Sequence, residues 1–250
     1  MSTPIKRVLV THPEPSDENS PYHQLARKFG LRIDFKPFLH IGAISTSEFR
    51  KQNIYPLDFS AIIFTNKAAI DHYFRICKDL RIEMPADTKY FCLGDAVAKY
   101  LQKYIIIRKR KLYVADRHMS ELLQLFKKHT KDRYLFPTGD LVRPEITEYM
   151  ERTMLAFRVA MVYQTVPSDL SGTFSDPYDL ICFFSPASVD ALFHNFPDYQ
   201  QGETRIAVFG QLTAHAALKT GLSVDIEAPQ PEFPSMTSAI ESYLKQQNGS

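Results

Sequence analysis

The sequence has no closely spaced cysteine pair, no long apolar run and no marked excess of one charge. Each absence removes a class of protein. The three cysteines, Cys77, Cys92 and Cys182, are odd in number, widely separated and each set among apolar residues. They read as small buried hydrophobes in a reducing compartment, without a disulfide framework. No apolar stretch approaches the ~20 residues a helix needs to cross a bilayer, so no membrane partner is expected. The opening residues, MSTPIKRVLVTHPEP, lack a long apolar core followed by a small-residue cleavage site, and a cytoplasmic location is expected. Lys and Arg number 30 against 28 Asp and Glu, a formal charge of +2, whereas a dedicated nucleic-acid protein carries a strong basic excess. No GxGxxG follows a strand, and there is no phosphate-binding GxxxxGKS/T, no HExxH, no Cys/His cluster at zinc spacing and no GxSxG elbow. The eight histidines are scattered. A protein working without cofactor or metal is expected.

What is present is ample core material. Hydrophobic residues make up 44% of the 250, with 18 Phe and 13 Tyr, which excludes a disordered chain. A chain of this length buries about 70–75% of its unfolded surface and needs no staple to fold. Short β-branched or aromatic runs alternate with segments of helical period. Val8–Val10 precedes a helix at Tyr22–Phe29, and Ala61–Phe64 precedes Lys67–Lys78, where Ala69, Ile70, Tyr73, Phe74 and Cys77 share a face. Tyr90–Leu93 leads through Gly94 into Ala96–Gln102, and Tyr134–Phe136 into Pro144–Arg152. Ile181–Phe184 leads into Ser188–His194, and Ile206–Phe209 into Thr213–Lys219. Repeated strand–turn–helix units imply an α/β fold with parallel sheets.

The chain also repeats itself. IIFTNKAAIDHYF from Ile62 aligns with ICFFSPASVDALF from Ile181, placing Asp71 and Asp190 119 positions apart. The turn glycines of YFCLGDAVAKYL and IAVFGQLTAHAAL, Gly94 and Gly210, are 116 apart, and the helix starts Met119 and Met236 are 117 apart. Three pairs in one order at nearly constant offset indicate two copies of one α/β unit and a ligand cleft between similar domains. The basic run Arg108-Lys109-Arg110-Lys111, between YIII and LYV, reads as a nucleic-acid or anionic-ligand patch or as a solvated edge or turn between strand segments; near-neutral total charge favours the solvated edge or turn.

Small polar residues follow the strands at Thr65-Asn66-Lys67, Gly94-Asp95, Thr138-Gly139-Asp140, Ser185-Pro186-Ala187-Ser188 and Gly210-Gln211-Leu212-Thr213. With VYQT at Val162–Thr165, FFSP at Phe183–Pro186, the FGxxTAxAxL-like stretch at Phe209–Leu218 and a terminal APxPxxxSMTxAI, this order resembles the uroporphyrinogen-III synthase family over nearly the whole chain. The resemblance implies two similar domains, each a parallel β-sheet wrapped by helices, joined by a two-stranded crossover with the active-site cleft between them. Crossings near Lys36–Gly42 and Ala160–Pro167 would divide the chain into 1–37 plus 166–250 and a continuous insertion, 38–165. The implied activity is that of a cofactor-free lyase of haem biosynthesis acting on hydroxymethylbilane. It removes the terminal hydroxyl, passes through a spiro intermediate and closes the macrocycle to uroporphyrinogen III with ring D inverted. A monomer is implied, with transient contact to the preceding pathway enzyme.

The resemblance also assigns residues. Tyr163 matches the VYQT tyrosine favoured for assisting hydroxyl departure. Ser185, Pro186, Ser188, Gly210 and Thr213 match the substrate-binding turns of one domain, and Thr65, Asn66, Lys67 and Gly94 those of the other. Helix N-termini offer unpaired N–H groups to a carboxylate, although the same residue types serve simply as caps. Lys67 and Arg143 would pair with carboxylates, or lie on solvated faces. His12 stands where the family often has Arg, and an imidazole there gives a weaker, pH-dependent contact. Val97 replaces a family Thr that Thr213 keeps in the other copy, and Asp95 adds a negative charge nearby. These three departures favour an alternative, a non-catalytic two-domain module binding a small anion or tetrapyrrole as a sensor. A periplasmic-type binding protein is a remote third reading.

Overall fold

The structure, a computed structural model, describes residues 4–106, 108–116, 118–140 and 142–248. It divides into two units, Met1–His40 with Val166–Ser250, and Ile41–Thr165. The chain begins with β1 (Arg7–Val10), α1 (Pro21–Phe29), β2 (Arg32–Phe35) and β3 (Leu39–Ala43). It continues through α2 (Thr46–Lys51), β4 (Ala61–Phe64), α3 (Lys67–Asp79), β5 (Lys89–Leu93) and α4 (Asp95–Leu101). Next come β6 (Leu112–Ala115), α5 (Met119–Lys127), β7 (Tyr134–Thr138), α6 (Pro144–Arg152) and β8 (Phe157–Met161). After β9 (Tyr163–Pro167) the chain completes the first unit with β10 (Leu180–Phe183), α7 (Pro186–Asn195), β11 (Arg205–Phe209), α8 (Gln211–Lys219), β12 (Ile226–Ala228) and α9 (Met236–Asn248).

The first unit's sheet has the order β12-β11-β10-β1-β2, and the second unit's β6-β5-β4-β7-β8. Every pairing within them is parallel. Parallel sheets carry helices on both faces, so their central strands read as continuous apolar runs. Along β4, Ile62 and Phe64 pack on α3 while Ala61 and Ile63 face α5 and α6. In the first unit, Val8 and Val10 of β1 meet α1 and α9, and Leu9 meets the side covered by α7 and α8. β3 and β9 form a separate two-stranded ribbon.

The expected strand–helix pairs are present. The strands not individually expected, β2, β8 and β12, all lie at sheet edges, where half-exposed patterns dilute the apolar signal. The YIII stretch is not a strand over Tyr104–Ile106, and Ile107 lies outside the described residues; the basic run forms a short 3-10 turn, Lys109–Lys111, leading into β6.

Strand for strand, β4, β5, β6, β7 and β8 correspond to β10, β11, β12, β1 and β2. The first unit is thus a circular permutation of the second. The sequence repeat captures only the three pairs that keep chain order.

All three cysteines are free and buried, and burial pushes the Cys77 thiol up to about 11, Cys92 up to about 12 and Cys182 upward as well. A charged disulfide reagent at mildly alkaline pH is expected to leave the native protein unlabelled and to titrate all three thiols after denaturation. Rapid labelling of the native chain would show that these cores open.

Candidate active site

In an open parallel sheet, ligands bind beyond the carboxyl ends of the strands, where neighbouring connections diverge. That point lies between β10 and β1 in the first unit and between β4 and β7 in the second.

At the second unit's switch point, β4 ends in Thr65 and Asn66. The Asn66 Oδ1 accepts from Ala69 N–H at 2.8 Å and so caps α3. Its Nδ2 donates to the Tyr163 hydroxyl oxygen at 3.1 Å. One side chain therefore both starts the helix and holds the tyrosine. The Tyr163 ring rests on the turn after β7: a Cβ on Gly139 would lie 2.2 Å from Tyr163 Cε2, so glycine alone leaves room. Asp140 accepts from the backbone N–H and hydroxyl of Thr165 at 3.0 and 3.2 Å, fixing the strand that carries Tyr163. His72 of α3 packs beside the same ring at 5.5 Å between centroids, and its Nδ1 is buried without a hydrogen-bond partner.

Lys67 is exposed at the start of α3, its ammonium 5.4 Å from the Tyr100 ring centre. Arg143 is exposed immediately before α6. Thr65 is buried. Gly94 begins α4 at φ +92°, a conformation L side chains rarely adopt, and its N–H donates to Ala115 at 2.7 Å. Val97 is buried in the adjoining apolar cluster, while Asp95 is exposed at the helix start.

The first unit's strand ends are bridged differently. His12, after β1, stacks on Phe184, after β10, with centroids 4.1 Å apart. Loss of water on that face lowers the imidazole pKa below its ordinary 6.5, so His12 is neutral at pH 7 and gains charge only on acidification. Ser185 caps α7 by accepting from Ser188 N–H, and the Ser188 hydroxyl donates to the Ser185 carbonyl at 2.6 Å. Ser188 is buried and committed to this capping box. Gly210 starts α8 at φ +89°, its N–H donating to Ala228 at 2.6 Å, the counterpart of Gly94 and Ala115.

A cavity of about 690 Å³ opens at these ends, with Ser185, Pro186, Gly210, Thr213, Pro229 and Pro231 on its wall. No side chain caps α8, so its first N–H groups remain available to a ligand. The wall holds one acid, Glu227, and among the described residues no Lys or Arg. An anion seated there would meet backbone dipoles and no cationic side chain.

Gly139, Asp140, His72 and Phe184 were not among the expected site residues. The Thr138-Gly139-Asp140 turn and the FFSP motif carried a signal, but the need for glycine at 139 comes from a ring 24 positions away in sequence. Among the described residues no cluster of three His, Cys, Asp or Glu is placed to hold a metal ion, and no helix is long and apolar enough to cross a membrane.

Two doubly wound parallel sheets with polar turns at their switch points define a two-unit α/β protein suited to seating anionic groups on backbone N–H. Residues 20–238 match the family model of uroporphyrinogen-III synthase HemD. The chain belongs to this family, whose members are lyases of haem biosynthesis. The structure of uroporphyrinogen-III synthetase from Helicobacter pylori is 17% identical, with 97% of this chain and 100% of that one covered and a TM-score of 0.54, which shows the common fold. A mutant uroporphyrinogen III synthase from Thermus thermophilus is 16% identical over 98% of this chain and 100% of that one, with a TM-score of 0.47. Comparison with curated protein sequences finds no match.

Gly139→Ala should displace the Tyr163 ring and cost about 1–3 kcal/mol of stability through overpacking. The check is a thermal melt together with the Tyr163 ring resonances. Unshifted resonances would mean that the ring does not rest on this turn.

Proposed function

We propose that the chain is a uroporphyrinogen-III synthase that dehydrates and closes hydroxymethylbilane to uroporphyrinogen III with inversion of ring D. The observation that carries this reading is the family match over residues 20–238. The site geometry supports it. The substrate is a polycarboxylate, and the uncapped start of α8 beside the cavity gives a carboxylate free N–H donors without a bulky cation. The Tyr163 hydroxyl accepts from Asn66, which leaves its own proton free to be donated toward a departing hydroxyl. Lys67 and Arg143 supply mobile positive charge at the same strand-end edge of the second unit. Seating several carboxylates at once would hold the bilane in one conformation and favour one ring closure by orientation.

The same reading treats 1–37 with 166–250 as one domain of the enzyme and 38–165 as the other, each built on one parallel sheet. The non-catalytic alternative draws on Asp95 at the exposed start of α4 and on a His12 that is neutral at pH 7.

The assay supplies freshly generated hydroxymethylbilane and resolves the product isomers. Enrichment of the type III ring over a protein-free control is expected; the control's proportions alone would leave only a binding module. Tyr163→Phe is expected to lower turnover by about 10²-fold, the lower end of general-acid contributions, with little change in KM. An unchanged rate would assign Tyr163 a structural role.

A further inference from the structure

At the opposite end of the second unit's sheet, where β5 and β6 begin, the surface has a different character. A cavity of about 740 Å³ is walled by Phe74, Ile82, Met84 and Ile105. Asp71 on its wall is held by the hydroxyls of Tyr100 and Tyr104, and Arg75 by Asp79 and the Ile44 carbonyl. Lys78 and Arg81 then outnumber Glu83. A second cavity of about 490 Å³ shares Ile82 and extends the groove to Tyr55, which is 53% exposed.

The chain leaving this wall is unusually basic. From Ala96 to Ala115 it carries Lys99, Lys103, Arg108, Lys109, Arg110 and Lys111 and no acid, although the whole chain is only +2. Ile106, next to the cavity-lining Ile105, is fully exposed. Arg108 follows three residues after Ile105, within about 10 Å along an extended chain. Burying an exposed Ile side chain is favourable, so the free surface leaves apolar stabilisation unused.

We propose that this groove docks a segment of a partner protein that is acidic and carries aliphatic or aromatic anchor side chains. The concave apolar wall receives the anchor, and the basic turn steers and orients the acidic flank. Single-stranded nucleic acid needs a run of open aromatic faces, whereas Phe74 and Tyr104 stack on each other at 5.0 Å and, among the described residues, Tyr55 is the one further ring along the groove. A membrane surface favours a long amphipathic helix, whereas Lys109–Lys111 is one short turn.

The test measures fluorescence anisotropy of a labelled peptide with a Leu-Phe pair flanked by glutamates. Phosphatidylserine vesicles and oligouridine serve as competing probes. Binding to the wild-type chain is expected, weakened about tenfold or more by I106E and by K109E/R110E, and weakened further by added salt. I106S, which removes apolar surface without adding charge, replaces I106E if the latter lowers the melting temperature. Absence of peptide binding, equal binding by the variants, or tighter binding of vesicles or oligouridine would each overturn the proposal.

Discussion

Burial of the central strands on both faces is the constraint on which the rest of the structure depends. β4, β7, β10 and nearly all of β1 and β11 are enclosed between helix layers. Polar side chains therefore have no place along these strands and collect where the strands end. Thr65, Asn66, Gly139 and Asp140 in one unit, and His12, Ser185 and Gly210 in the other, stand at strand ends because an apolar core displaces them there. Collecting polar groups at the strand ends follows from core formation.

Those groups carry different structural duties. Asn66 has two: it caps α3 and holds the Tyr163 hydroxyl. Ser188 is spent on the capping box of α7, whereas α8 and α4 start at glycines without a side-chain cap. The uncapped helices keep donors available for a ligand, and positive-φ glycines let their N–H groups bond to the adjacent edge strand. Near-neutral total charge is compatible with a polyanionic substrate in this setting, since backbone dipoles add no net charge. Besides Lys67 and Arg143 at that edge, a run of cations, Arg108 to Lys111, leads into β6 close in sequence to the exposed Ile106.

The boundaries of strand–helix pairs were legible because a parallel core strand is an unbroken apolar run and its following helix has a 3.6-residue period. Edge strands such as β2 and β8 were not, because half their residues face water and break that run. The small polar turns were also visible. Their individual duties were not: a Ser in such a turn looks the same whether it is buried within a capping box, as Ser188 is, or caps the helix and lines a cavity as well, as Ser185 does.

The amino-acid sequence by itself determined the α/β class, the doubled unit, the small polar turns after the strands and the family resemblance, all of which are local or periodic properties. Only the tertiary structure decided that the first unit is a circular permutation of the second, because strand order depends on pairings distant in sequence. It also decided that Gly139 is a platform for Tyr163, that His12 is desolvated by Phe184, and that Asp140 anchors Thr165. Each is a contact between segments brought together only by the sheet, so no nearby residue records it.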